Sequence, residues 1–115
     1  MIDDIFCKII QGSLKEEIIL EGEEWLAIKD IHPQAPVHVL IIPKKHLVNL
    51  SEARDRDSGL PGKLVMAVEQ VAKKLGISED GYRVIINSGR DGGQLVPHLH
   101  LHLLGGKVLG PKMIK

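Results

Sequence analysis

The apolar residues near the start of the chain are spaced for a helix. Ile2, Ile5, Phe6, Ile9 and Ile10 fall at i, i+3, i+4, i+7 and i+8, which places them on one face. Asp3 and Asp4 suit the positive end of a helix dipole and Gly12 suits a helix stop, so a short helix is predicted over 3–11. Two strand-like runs follow at 17–20 and 25–29. The intervening Glu21-Gly22-Glu23 reads as a tight turn, which makes the pair a hairpin. VHVLII at 37–42 predicts a third strand, bracketed by Pro36 and Pro43. The polar, turn-rich stretch 51–62 reads as a loop. Leu64, Val68, Val71 and Leu75 then mark the longest helix, with Pro61 near its start and Gly76 just past its end. YRVIIN at 82–87 predicts a fourth strand, SGRDGGQ at 88–94 a glycine-rich loop, and PHLHLHLL at 97–104 a fifth strand closed by Gly105-Gly106. A hairpin, returning strands and segregated helices indicate an α+β fold built on an antiparallel sheet.

Composition bounds this picture. The chain has 115 residues, room for a single domain over 1–115. Fifteen basic residues balance fifteen acidic ones, which removes the global electrostatic case for nucleic acid or an anionic membrane. No apolar run approaches the ~18 residues of a membrane helix. Three aromatic residues are too few for a base-stacking platform. Asp3 and Asp4 stand where a secretory signal would be basic, and the single Cys7 cannot form an intrachain disulfide, so a cytoplasmic location is expected.

Histidine changes the picture most. Three of the six, His98, His100 and His102, alternate with Leu99, Leu101 and Leu103. On an extended chain this puts the imidazoles on one face, about 7 Å apart, and the leucines on the other, where they form core. Such a row could bind a metal, act as general acid and base, or supply a nucleophile to phosphorus. The preceding loop has three glycines in seven residues and allows backbone N–H groups to approach an anion, which favours phosphate chemistry without a metal.

PHLHLHLLGG closely resembles the histidine triad signature. IFCKII, DIHPQAPVHVLIIPKKH and GYRVIINSGRDGGQ extend the resemblance, in order, along nearly the whole chain, and are similar to the Hint branch of that superfamily. The resemblance implies a five-stranded antiparallel sheet with two helices, the sheet extended across a homodimer. It implies hydrolysis of substituted nucleoside 5′-monophosphates, such as phosphoramidates and acyl-nucleotides, usually of purines. By the same resemblance His100 is the nucleophile and forms a nucleotidyl-histidine, His102 binds phosphoryl oxygens, and His98 and His38 support the site and its proton transfers. Asp30 would bind the ribose hydroxyls, Asn87 and Gly93 would lie near ribose and phosphate, and Ile5, Phe6, Ile28 and Ile31 would sandwich the base.

Some positions depart from the pattern. Leu95 stands where many Hint-branch proteins carry Ser or Thr, and the tail lacks the Trp-Pro-Pro-Gly end of eukaryotic-type members. No cofactor is required. A structural zinc is an option, because Asp4-x-x-Cys7 stands where some bacterial-type members have a cysteine pair, and His46 and His98 complete that set. Two alternatives remain: a dinucleoside polyphosphate hydrolase of the Fhit type, and a nucleotide-binding module with little activity.

Overall fold

The computed structural model describes residues 4–12 and 17–111. Along the chain the elements are α1 (Ile5–Ile10), β1 (Ile18–Glu21), β2 (Trp25–Lys29), β3 (Val37–Pro43), α2 (Leu50–Arg56), α3 (Leu60–Lys74), β4 (Arg83–Ile85) and β5 (Leu101–Gly105). The strands form one sheet in the order β1-β2-β3-β5-β4, with every neighbouring pair antiparallel. The α+β fold and its five-stranded sheet are therefore as expected, with three helices among the described residues where the family resemblance implied two.

Both faces of the sheet are covered, which explains why β2 and β3 are apolar at successive positions. Trp25, Ala27, Val39, Ile41, Leu101 and Leu103 pack with Leu64, Val68 and Val71 of α3. The alternate residues Leu26, Ile28, Leu40 and Ile42 pack with Phe6 and Ile9 of α1. Each fully buried leucine or isoleucine side chain contributes about 1.5–3 kcal/mol relative to exposure, so these two layers hold the sheet that carries the site. No helix among the described residues is long and apolar enough to cross a membrane.

The predicted 3–11 helix is α1. Asp4 is its N-cap and accepts the Cys7 N–H at 2.8 Å. Ile2 and Asp3 lie outside the described residues. The hairpin turn closes where the Gly22 N–H meets the Trp25 carbonyl. A Cβ at Gly22 would fall on the Trp25 indole, so only glycine fits there.

Three expected boundaries change. The 51–62 loop is instead α2 followed by the start of α3. Asn49 caps α2 by accepting the Glu52 N–H, and the Glu52 carboxylate accepts the Val48 N–H in return. Only Ala53 of α2 is buried, too little apolar content to show a period. The strand expected over 82–87 is the three-residue β4. The strand expected over 97–104 is hydrogen-bonded as a ladder only from Leu101. Its partner β3 ends at Pro43, which has no N–H to offer, and the Leu99 N–H turns instead to the Leu47 carbonyl at 2.6 Å.

Candidate active site

The alternation in PHLHLHLL segregates faces even where the ladder has stopped. Leu99, Leu101 and Leu103 are buried in the α3-side core. His98, His100 and His102 lie on the opposite face, near α1. The Phe6 ring meets His98 and His100 edge-on, with centroids 5.8 and 5.0 Å apart. His100 and His102 are 5.1 Å apart by the same measure, and His38 of β3 is 5.2 Å from His102. The four predicted histidines therefore share one site. His98 and His100 are buried and His102 is half-buried.

Hydrogen bonds assign the ring nitrogens. A carbonyl only accepts, so His100 Nδ1, 2.7 Å from the His98 carbonyl oxygen, carries its hydrogen there and leaves a lone pair on Nε2. His98 Nε2 donates to the Pro43 carbonyl at 2.9 Å. The backbone N–H of Gln34 donates to His38 Nδ1 at 3.0 Å. His38 Nε2 lies 3.0 Å from His102 Nδ1 and 3.3 Å from Asp30 Oδ2. Burial lowers the His100 pKa and also that of His38, where the Asp30 charge opposes it. Burial, with the nearby His100 and His38, brings His102 down to about 4. All three are therefore neutral imidazoles at neutral pH.

The remaining predicted residues divide. Asp30 sits beside His38, and its Oδ1 accepts the His32 N–H at 2.8 Å. Phe6 and Ile28 are buried in the α1-side core, while Ile5 is 44% and Ile31 is 65% exposed. Asn87 and Gly93 are engaged within the glycine loop: Asn87 Nδ2 donates to the Gly92 carbonyl and the Gly93 N–H to that of Arg90. Leu95 is 92% exposed. Two surface cavities of about 740 and 480 Å³ lie away from the imidazoles, one beside Tyr82 and Arg83, the other between the β1–β2 turn and α3. Sequence reasoning did not reach the backbone partners at Pro43, Gln34 and Leu47. The Pro43 and Leu47 contacts depend on chain crossings and the Gln34 contact on how the turn after β2 closes, none of which has a motif of its own. Nor did it reach Gln94, whose amide donates to the Val48 and Val96 carbonyls and accepts the Gly89 N–H, tying the loop to the segment before α2.

Behind the triad lies a second cluster. Atoms of Asp4, Cys7, His46 and His98 lie within 4.8 Å of one another. Asp4 Oδ2 is 3.2 Å from His46 Nδ1 and 3.3 Å from His98 Nδ1, and Cys7 Sγ is 3.3 Å from His46 Nδ1. The bond from His98 Nε2 to Pro43 leaves Nδ1 as a ligand atom. This two-nitrogen, one-oxygen, one-sulfur set fits a closed zinc site in donor chemistry. His46 Nε2 is buried with no hydrogen-bond partner among the described residues. Zinc held there would act structurally, joining α1 to the triad segment. The Asp30, His38 and His102 atoms are similarly close, but hydrogen bonds account for them.

The chain matches the HIT domain over residues 11–109. It belongs to the HIT family. An uncharacterized HIT-like protein of Synechocystis sp. is 50% identical over 105 residues, covering 91% of each chain. A HIT family hydrolase from Clostridium thermocellum superposes with TM-score 0.93 at 48% identity, covering 99% of both chains. A histidine triad nucleotide-binding protein from Candida albicans is 32% identical with TM-score 0.79, covering 97% of this chain and 85% of the other. Against this HIT background the row of His98, His100 and His102 is the histidine triad.

Proposed function

We propose that this HIT protein is a Hint-type hydrolase of substituted nucleoside 5′-monophosphates, with purine phosphoramidates and acyl-nucleotides as its substrate class. The observation that carries this reading is the bond from His100 Nδ1–H to the His98 carbonyl, which leaves His100 Nε2 as a neutral nucleophile on a buried, braced ring. His100 Nε2 attacks the α-phosphorus. The P–N bond breaks as the Nε2–P bond forms, and the amine leaves with a proton taken from water. Both nitrogens of the His100 ring are then substituted, and the resulting positive charge is met by the His98 carbonyl oxygen. His102 supplies a donor to the phosphoryl oxygens, with His38 behind it. A second water then attacks phosphorus, giving its proton to the hydroxide left by the first step, the Nε2–P bond breaks, and nucleoside monophosphate and neutral His100 are restored.

Asp30 is proposed as ribose ligand, Asn87 and Gly93 as contacts near ribose and phosphate, and Ile5, Phe6, Ile28 and Ile31 as the base pocket. The exposure of Ile5 and Ile31 supports a base-binding role for those two. A homodimer with the sheet continued between subunits belongs to the same reading, supported by the short outer strand β4. The single cysteine supports a cytoplasmic setting.

Incubation with a purine nucleoside phosphoramidate in EDTA, with rapid quench, tests the proposal. Turnover with a covalent nucleotidyl adduct is expected. No turnover, or full turnover by His100→Ala, would overturn it. Faster cleavage of dinucleoside polyphosphates would favour the Fhit type instead. Monophosphate binding without turnover would favour a binding module, which the exposed Leu95, with no hydroxyl to offer a phosphate, makes the relevant second reading.

A further inference from the structure

Three acceptor or donor atoms meet between β3, the segment after β2, and β5. His38 Nδ1 accepts a backbone N–H from Gln34, so it carries no hydrogen. The neutral ring must then hold its hydrogen on Nε2. That N–H faces two acceptors, His102 Nδ1 at 3.0 Å and Asp30 Oδ2 at 3.3 Å. Accepting it leaves His102 with its own hydrogen on Nε2, the nitrogen available to substrate. Gln34 is placed for this by Asp30 itself. Asp30 Oδ1 accepts the His32 N–H and shapes the turn, and the Asp30 N–H is bonded to the His38 carbonyl at 3.0 Å. The His38 side chain is 4% exposed and that of Asp30 16%, so little water competes for these bonds. The charged or titratable groups near His38 and His102 are Asp30 and His100.

We propose that Asp30 is a positioning residue for His102. Through His38, its carboxylate and the Gln34 amide it places lock a single tautomer chain that ends in a His102 Nε2–H aimed at substrate phosphate. This deepens the hydrolase reading and rests on it only for the use made of His102. It gives Asp30 a task besides ribose binding, because an amide in its place keeps the turn but sets an N–H donor against the His38 Nε2–H. The opposed donors press His38 toward the other tautomer, which Gln34 resists, and His102 loses its fixed hydrogen.

Nitrogen-15 NMR of the imidazoles in the intact protein reads the tautomers directly. Bare Nδ1 and protonated Nε2 are expected on both His38 and His102, with this pattern lost in Asp30→Asn. In kinetics, Asp30→Asn should lower kcat by about 10²-fold, the lower range of what a positioned acid–base group contributes, and equally on a 2′,3′-dideoxy substrate that has no ribose hydroxyls. A hydrogen on His102 Nδ1 in the native protein would overturn the proposal. So would unchanged tautomers in Asp30→Asn, or a loss confined to KM that disappears with the dideoxy substrate. If no nucleotide is turned over, the hydrolase reading fails, while the NMR result still decides the tautomer chain.

Discussion

The His100 ring is held by the carbonyl of His98, two residues earlier in the same strand-like run, at 2.7 Å. The tautomer of this proposed nucleophile is therefore set by its own backbone, and its outer nitrogen carries the lone pair. Substituting His100→Ala should abolish the covalent adduct and reduce turnover on the order of 10³-fold or more. Rapid-quench labelling with circular dichroism as a folding control measures this. An adduct persisting in the variant would move the nucleophile elsewhere.

Stability should fall on mild acidification. Desolvation first, then the repulsion a protonated His102 would meet from a second charge on His100 or His38, lowers His102 from its ordinary 6.5 to about 4, and burial lowers His38 in the same direction. Above 6.5 the folded and unfolded states are both neutral at these rings. Below it the unfolded chain binds protons that the folded one does not, so stability declines as pH falls, and the His102 contribution levels off near about 4. Thermal midpoints across that range test this, and His102→Gln should flatten the slope. A midpoint constant from 6.5 to 4 would contradict the assignment.

The hairpin turn admits no side chain at Gly22, where a Cβ would overlap the Trp25 indole. Gly22→Ala should displace the ring and cost about 1–3 kcal/mol, as overpacking does. Trp25 is the single tryptophan, so its fluorescence reports the displacement. An unchanged spectrum and midpoint would show the indole free to move without cost.

Zinc should stabilise the protein through Asp4, Cys7, His46 and His98. At zinc a hundredfold above its dissociation constant the gain is about 2.7 kcal/mol. The unfolding midpoint should rise with zinc, and the rise should vanish in Cys7→Ser with Asp4→Ala. Metal analysis finding no zinc after equilibrium dialysis, with an unmoved midpoint, would show that the cluster is held by hydrogen bonds alone.

Much of the site is readable from particular residues. The period of two in His98–His102 foretold which side chains face the core, and this held because Leu99, Leu101 and Leu103 all bury against the α3 side. The ladder itself was over-extended, because nothing local to His98 or His100 shows that the neighbouring strand stops at Pro43. α2 was missed for a different reason. Its caps at Asn49 and Glu52 are polar signals, and with Ala53 alone buried there is no apolar period to accompany them.

The sequence by itself determined the helix and strand periods, the α+β class, the face carrying the imidazoles and the family resemblance, because these depend on neighbours a few residues apart. Only the tertiary structure decided which nitrogen of each imidazole holds a hydrogen. That depends on the carbonyls of His98 and Pro43, the amide of Gln34 and the carboxylate of Asp30. Except for His98 beside His100, these partners reach their rings through the turn after β2 or across the sheet. Hydrogen bonding is directional, so the chemistry of a ring is settled by where the folded backbone aims its donors and acceptors.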